Sequence, residues 1–438
     1  MFREHDVKHR TAHVLWGAAL AAALCAGSTL CPSSARAQEE DVSTATVDTV
    51  LQAGEADAVE PKRKLVKWNS YDGPFSTLRF GFGLAFDAAS YHQDDAAKSQ
   101  VPTEDDGGLR DFRLLFKGRF KTKRPASWTF GYMYDGTEKE WRFRQTGIQV
   151  DVPELSGRFF LGRTKEGYSA EKVMVGYYIW GMERSQTLDA FVPILGDGIK
   201  YMGYYPRQRV ALNLGAFADA LSENEKFSTY DNQFVTRLVW QPRLSEERRE
   251  VLHVGVMGRQ AKPDDGFLRE KSKPGSYLAP NFLDTGKFPA DHSHTLGFEG
   301  IWRRGPLLVA TEYDWQKDDA SSGEHPMFRG GETTVSWLVT GESRPYNAPG
   351  AFFDNVSPKR SVVEGGPGAI EAILGMTYND FDDGASFQGG KFWRLTPMVI
   401  WHVDDLMHVY VAYGYGKLDR FGTEGTTQFF QTRLLFYL

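Results

Sequence analysis

The chain has 438 residues, of which 41% are hydrophobic and 25% are charged, with a formal net charge of −6. No stretch beyond the N-terminus approaches the ~20 apolar residues of a helical membrane span, which excludes a polytopic helical membrane protein. The composition also argues against a disordered or disulfide-stapled chain and a globally basic nucleic-acid binder. An outer-membrane β-barrel stays open, because only every second residue of its strands faces lipid.

The first 37 residues have the pattern of a secretory signal peptide. A basic start precedes a short apolar run over residues 14–24, and Ala35-Arg36-Ala37 has the form of a cleavage site. We expect cleavage just before Gln38. Both cysteines of the chain lie in the segment that would be removed. The exported chain would then contain no disulfide, and no metal ligand set is predicted in it.

Residues 38–74 are predicted to form a flexible N-terminal periplasmic segment, because they are rich in acidic residues and have little apolar pattern. Residues 75–438 are predicted to form the folded domain. At its start, Leu78, Phe80 and Phe82 alternate with Arg79 and Gly81. Such strict alternation is typical of a β-strand with two different faces.

The same alternation recurs along the rest of the chain, and no long helical period interrupts it. We predict about sixteen strands, near residues 77–88, 109–120, 127–135, 139–150, 157–165, 198–205, 209–219, 230–241, 249–260, 294–303, 307–316, 330–341, 368–379, 390–402, 405–416 and 427–438. Their polar faces are rich in small residues, and their apolar faces often end in Trp or Tyr. This pattern favours an all-β transmembrane antiparallel barrel over a soluble sandwich. A barrel must also close in lipid, where an open edge would leave backbone groups unpaired.

Three long connections interrupt the barrel pattern. With an even strand count both termini lie in the periplasm, so residues 165–197 and 260–293 face outside the cell. Residues 342–367 fall on the periplasmic side, where turns are normally short. Long loops of this kind are usually functional or disordered, so we expect this turn to fold into the lumen unless a strand has been missed.

The sequence resembles the phosphate-selective porin O and P family over most of the barrel. The matching blocks are Arg110-Asp111-Phe112-Arg113, Leu161-Gly162-Arg163-Thr164-Lys165-Glu166, Met182-Glu183-Arg184-Ser185, Phe191-Val192-Pro193 and Thr340-Gly341-Glu342-Ser343-Arg344-Pro345-Tyr346 with Pro358-Lys359-Arg360. The resemblance implies a trimeric outer-membrane channel of sixteen strands. It also implies that the third and fifth outer loops and one periplasmic turn narrow the pore, which matches the three long connections.

An anion channel needs fixed positive charge at its narrowest point. The candidate pore-lining residues are Arg79, Arg113, Lys117, Arg142 and Arg144 on the inward parity of the strands, Arg110 from the block that resembles the family, and Lys165, Ser169 and Lys172 on the third loop. Arg119 shares that parity, and Lys359 and Arg360 are candidates for the periplasmic mouth. Arginine suits phosphate because its guanidinium donates two parallel hydrogen bonds. The competing interpretation is ordinary lumen charge, paired across the pore with Asp87, Asp111, Asp135, Glu140, Glu312 and Glu371.

We therefore predict passive diffusion of anions, with inorganic phosphate or polyphosphate as the expected solute. Outer-membrane lipid and lipopolysaccharide would surround a homotrimer. No nucleic acid, cofactor, metal or catalytic residue is expected. Where the family has a pair of arginines at the second strand, this chain has Arg110-Asp111, so a general small-solute porin stays an alternative. A plugged structural or enzymatic barrel is the second alternative.

Overall fold

The computed structural model describes residues 67–219 and 230–438, so the predicted signal peptide and most of the segment 38–74 lie outside the described residues. Sixteen long strands form the barrel. They are β1 Thr77–Gln93, β2 Asp106–Arg119, β3 Ala126–Asp135, β4 Glu140–Val152, β5 Gly157–Thr164, β6 Gly196–Tyr205, β7 Val210–Ala218, β8 Tyr230–Ser245, β9 Glu250–Pro263, β10 Phe288–Arg304, β11 Leu307–Ala320, β12 Met327–Leu338, β13 Ala369–Asp383, β14 Phe387–His402, β15 Met407–Arg420 and β16 Thr423–Tyr437.

Each strand pairs antiparallel with its neighbours in the chain, and β16 closes the sheet against β1. The closing register runs from Gly83 opposite Tyr437 to Gln93 opposite Thr427. The predicted fold and strand count are confirmed. Several strands are longer than predicted, because polar residues beyond the apolar core of a strand continue its hydrogen-bonded ladder. Among the described residues, no helix is both long and apolar enough to cross a membrane.

The two faces of the strands differ as the alternation predicts. On β8, Phe234, Leu238 and Trp240 are exposed on the outer surface, whereas Arg237 and Val239 between them are buried in the interior. An outer surface of this kind suits the apolar band of a barrel in lipid. The polar groups of the same strands are directed into the lumen.

Three connections fill much of that lumen. Loop L3 (residues 165–195) carries the short helices α2, Ala170–Val173, and α3, Gln186–Phe191, whereas the helix α1, Asp95–Gln100, lies in the first outer loop. Loop L5 is residues 264–287, and turn T6 is residues 339–368. Side chains from L3 and T6 form one apolar cluster with inward residues of the barrel, and side chains from L3 and L5 form a second. The predicted inward folding is confirmed.

Glycines on the inward face make room for L3. A Cβ atom at Gly83 would collide with the ring of Tyr177, and one at Gly297 would collide with Asp314 and with the Tyr168 hydroxyl. The loop therefore sits against notches in the wall. This close approach explains why glycine occupies inward positions where a charged or bulky residue would displace the loop.

Candidate functional site

One side of L3 is held by an acidic wall on β10 and β11. The Tyr168 hydroxyl donates to Asp314 Oδ1 at 2.8 Å, and the Thr187 hydroxyl donates to Asp314 Oδ2 at 2.8 Å. The backbone amide of Ala170 donates to Glu299 Oε2 at 2.7 Å. These carboxylates accept hydrogen bonds from the loop, so their function here is to position it.

The opposite side of L3 is held by arginines around Glu183. Arg433 on β16 bonds Asp87 on β1 through Nε at 2.6 Å and Nη2 at 2.7 Å, and its Nη2 lies 2.5 Å from Glu183 Oε1. Arg110 forms a second two-point contact with Glu183, at 2.9 and 3.0 Å. Burial raises the pKa of Glu183, but Arg110 and Arg433 outweigh it and hold that pKa well below its usual range.

A β-bulge turns Arg110 inward. Asp111 is opposite Ala85, but the next pair is Leu109 opposite Phe86, which leaves Arg110 without a partner on β1. The bulge lets an arginine at an outward sequence position reach the L3 carboxylate. Sequence parity alone would have placed this side chain in lipid.

The guanidinium groups of Arg113 and Arg184 meet at Gly176 of L3. A Cβ atom at Gly176 would lie 3.4 Å from Arg184 Nη1 and 3.6 Å from Arg113 Nη2. Arg113 is 8% exposed, bonds Asp111 at 2.5 Å and lies 3.8 Å over the Tyr177 ring. Within the described residues its Nε and Nη1 have no hydrogen-bond partner. Two guanidiniums that converge on one point form a positively charged geometry suited to an oxyanion.

Arg184 lies on L3 itself and was not singled out from the sequence, although it belongs to the Met182–Ser185 block. Its Nε donates to the carbonyl of Glu171 at 3.2 Å and its Nη2 to that of Met174 at 2.8 Å. Burial lowers the pKa of Arg184 to about 10, so the group stays charged at neutral pH. The inward position of the loop was predicted, but which of its cations faces the gap depends on the loop's path.

Arg142 and Arg144 both face the lumen, as the strand pattern predicts. Arg142 pairs with Glu140 at 3.1 Å. Strand β4 has a bulge between Phe143 and Thr146, which lie opposite Tyr132 and Phe130. The strand therefore changes direction beside Arg144. Arg144 is near enough to Arg184 for its charge to act on that guanidinium.

The predicted L3 residues Lys165, Ser169 and Lys172 are buried and support the loop. Lys165 Nζ donates to the Met174 carbonyl at 2.9 Å, and Ser169 caps α2 by accepting from the Lys172 amide at 3.2 Å. Lys172 Nζ donates to the carbonyls of Val192, at 3.3 Å, and Pro193. Burial and then the charge of Arg184 lower the pKa of Lys172 to about 7.

The remaining predicted residues lie away from Gly176. Arg79 and Lys117 face each other across β1 and β2, four positions along β1 from the residue opposite Arg113 and close to the C-terminus. Lys359 and Arg360 are exposed on T6, where they bond backbone carbonyls of T6 itself. The structure therefore brings together Arg110, Arg113 and Arg144. It separates this group from Arg79, Lys117, Lys359 and Arg360.

The comparison with protein families follows this geometry. The model of the family described as "Phosphate-selective porin O and P" matches residues 80–438. The chain belongs to this family. Its family and its fold are those of outer-membrane porins.

Two curated relatives are similar over part of their length. Porin O of Pseudomonas aeruginosa is 24% identical over 294 residues, which cover 59% of this chain and 65% of the relative. An uncharacterized protein of Caulobacter vibrioides is 25% identical over 245 residues, which cover 53% of this chain and 48% of the relative. The chain therefore spans between about half and two thirds of the length of these relatives.

Solved structures with the same fold are distant in sequence. The outer-membrane channel DcaP of Acinetobacter baumannii superposes with a TM-score of 0.54 at 11% identity, covering 84% of this chain and 99% of that one. A loop-deletion mutant of OmpT of Vibrio cholerae gives 0.53 at 12% identity, covering 83% and 99%. These likenesses establish the porin barrel.

Proposed function

We propose that this porin is anion-selective and passes phosphate and related small anions through the gap beside L3. The observation that carries the proposal is the convergence of Arg113 and Arg184 at Gly176. Arg113 also carries two buried N–H groups, Nε and Nη1, that have no protein partner within the described residues. Burying a charged donor without a partner is costly, so an oxyanion at this point would be strongly favoured.

The balance of charge on L3 supports the same conclusion. Glu183 is already engaged by two arginines, so it does not oppose the field at Gly176. Arg184 and Lys172 bond only carbonyl oxygens, and within the described residues neither has a carboxylate oxygen within 4.0 Å. Neutral oxygens satisfy hydrogen bonds without cancelling charge. In a narrow lumen of low dielectric, such charges act more strongly than they would in bulk water.

A homotrimer is part of the proposal. The trimer form of OmpT from Vibrio cholerae has the same fold. The outer face of β2 to β4 carries a continuous aromatic patch in which each ring contacts the next, in the order Phe116, Phe130, Phe143, Tyr132 and Trp141. An extended aromatic surface suits packing against another copy. We also propose that export follows cleavage before Gln38 and that residues 38–74 stay in the periplasm.

Planar-bilayer recordings test the selectivity. In a potassium chloride gradient we expect a reversal potential that shows preference for chloride, and we expect added phosphate to block the chloride current. Arg184→Ala and Arg113→Ala should each raise the half-blocking phosphate concentration about tenfold, since a charge-assisted hydrogen bond contributes roughly 1.5–3 kcal/mol. Arg243→Ala is the matched control, because Arg243 is exposed at the periplasmic rim and pairs with Glu250, away from L3. Cation preference in the unmodified channel would refute the proposal.

A general small-solute porin is the second candidate. It is favoured by Asp111, which bonds Arg113 directly and cancels part of its charge. A general porin would be blocked by phosphate no more strongly than by acetate or sulfate at equal concentration. Selective block by phosphate would leave only the first candidate.

A further inference from the structure

A cavity lies next to the arginine pair, between the tip of L3, loop L5 and strands β12 to β14. Its volume is about 70 Å³. Since roughly 10–15 Å³ of such volume holds one water molecule, the cavity has room for about five. It can therefore hold a small polar group beside an anion bound at the arginines.

Two arginines line this cavity, Arg184 on L3 and Arg394 on β14. Arg394 is 4% exposed and donates to the Pro274 carbonyl of L5 at 2.5 Å and to Gln431 Oε1 at 2.5 Å. In the described parts of the chain, no carboxylate oxygen lies within 4.0 Å of either guanidinium. Some other buried arginines of the lumen do have such partners, as Arg163 has Asp197 and Arg344 has Glu371. The cavity is thus a place where an anionic group would compensate buried charge.

The rest of the cavity wall is suited to a hydroxylated organic group. Thr334, Thr377 and Thr396 lie on three neighbouring strands, and over the residues described their hydroxyls bond no protein group. Trp180 and Met398 supply apolar surface on the same wall. Hydroxyl groups beside an aromatic and an aliphatic face match a solute that carries both polar and C–H surfaces.

Glu332 on the same wall argues against a chain of phosphates. Glu183 and Glu332 both line the cavity, so a second phosphoryl group would meet acidic side chains there. A carboxyl oxygen can, however, accept a hydrogen bond from a hydroxyl. A solute with one phosphate and several hydroxyls therefore fits the wall better than polyphosphate does.

We propose that the channel binds hydroxylated phosphate monoesters, with the phosphoryl group at Arg184 and the esterified polyol in this cavity. The inference rests on the proposed anion selectivity and narrows it to a substrate class. The phosphoryl oxygens take the guanidinium donors that face Gly176 and Arg113. The hydroxyls of the ester then contact the threonines and Glu332.

The test compares two blocking solutes in the same bilayer, glycerol 3-phosphate and inorganic phosphate, with glycerol as the neutral control. We expect glycerol 3-phosphate to block chloride current at a concentration about fivefold lower than phosphate does, because one or two added hydrogen bonds give roughly this factor. Glycerol should not block. Equal block by ester and phosphate would overturn the inference.

Gly375→Val tests the location. Gly375 lines the cavity, and a Cβ atom there would meet only Thr334 Oγ1 at 3.7 Å and the Thr396 carbonyl at 3.9 Å, so the strand accepts the substitution. The added side chain fills part of the cavity. We expect the ratio of the two half-blocking concentrations to fall to about one, since the hydrogen bonds that separate ester from phosphate are then lost.

Gly300→Val is the matched control. Gly300 faces outward on β10, and its Cβ would meet only Thr311 Cγ2 at 3.5 Å. This variant should keep the unmodified ratio. If Gly375→Val also keeps the ratio, the cavity assignment is wrong. If phosphate itself does not block the unmodified channel, the proposed anion selectivity has failed instead, so the two failures are distinguishable.

Discussion

The two sides of L3 differ in how charge is used. Toward β10 and β11, the carboxylates of Asp314 and Glu299 accept hydrogen bonds from the loop and hold it. Toward β16, β1 and β2, arginines meet the loop, and part of their charge is cancelled by Asp87, Asp111 and Glu183. The first side positions the loop. The second side positions it too, but it also brings the guanidiniums of Arg113 and Arg184 together at Gly176.

This difference shows that counting lumen charges does not predict selectivity. Many of the arginines inside the barrel are paired, as Arg237 is with Glu299 and Arg259 is with Glu166. At the site, by contrast, Arg184 bonds carbonyl oxygens instead of a carboxylate. Removing contacts on either side of L3 should therefore lower the stability of the channel. Only changes on the arginine side should alter its ion selectivity.

The largest expected effect is that of Arg433→Ala. The change leaves Asp87 and Glu183 buried without the arginine that joins β16, β1 and the L3 tip. Removing one member of a buried ion pair costs about 3–5 kcal/mol. We expect the free energy of unfolding in denaturant to fall by that amount, measured by tryptophan fluorescence of the folded channel in vesicles.

Arg243→Ala again provides the control for Arg433→Ala. Its pair with Glu250 is exposed, and exposed pairs contribute about 0–1 kcal/mol. If the two variants lose equal stability, the connection through Arg433 is not the one that holds this side of the loop.

Tyr168→Phe tests the acidic wall with a smaller change. It removes the hydroxyl that donates to Asp314 while keeping the buried ring. A hydrogen bond to a charged group contributes roughly 1.5–3 kcal/mol, so unfolding should become easier by about that amount, with more current noise in open channels. The chloride preference should stay unchanged. A changed preference would show that the wall also selects ions.

Asp111→Asn sharpens the comparison from the selective side. The substitution keeps the shape of the side chain but removes the negative charge that lies 2.5 Å from Arg113 Nη2. With less of its charge compensated, Arg113 should attract phosphate more strongly. The half-blocking phosphate concentration should fall about threefold, which corresponds to about 0.7 kcal/mol. Asp151→Asn at the periplasmic end of β4 is the control. Weaker block in Asp111→Asn would mean that Asp111 positions Arg113 for binding.

The barrel could be predicted from the sequence because the alternation of its strands is local. A few residues around Phe80 and Phe82 are enough to show which face of the strand is apolar. The same alternation recurs in sixteen strands and so predicts the barrel. The inward position of L3 was predicted only through the family resemblance. No periodicity describes a loop whose path is set by contacts such as Tyr177 with Gly83.

The charge site was predicted only in part, and the reason is again distance in sequence. Arg113 and Arg144 follow from strand parity, whereas Arg110 depends on a bulge that shifts the register. Arg184 and Arg433 meet Glu183 and Asp87 from distant segments. Whether a lumen arginine is compensated is decided by these long-range partners, which a single sequence does not reveal.

The smallest expected effect is a pH dependence through Lys172. Because its pKa is about 7, its ammonium is mostly charged near pH 6 and mostly neutral near pH 8. The chloride preference should therefore decline modestly as the pH rises through about 7, measured as a shift of the reversal potential. The unfolded chain, with an ordinary lysine pKa, binds more protons between these values, so Lys172 also makes stability rise with pH above about 7.

Lys172→Met separates this group from the other titrating groups of the lumen. The variant should show the lower, high-pH preference already near pH 6, and its reversal potential should vary less with pH. Lys262→Met is the matched control, because Lys262 is half exposed and pairs with Asp231 outside the loop. An unchanged titration in Lys172→Met would assign the pH dependence to another residue. It would leave Arg184 as the cation of L3 that distinguishes the selective side of the loop from the acidic one.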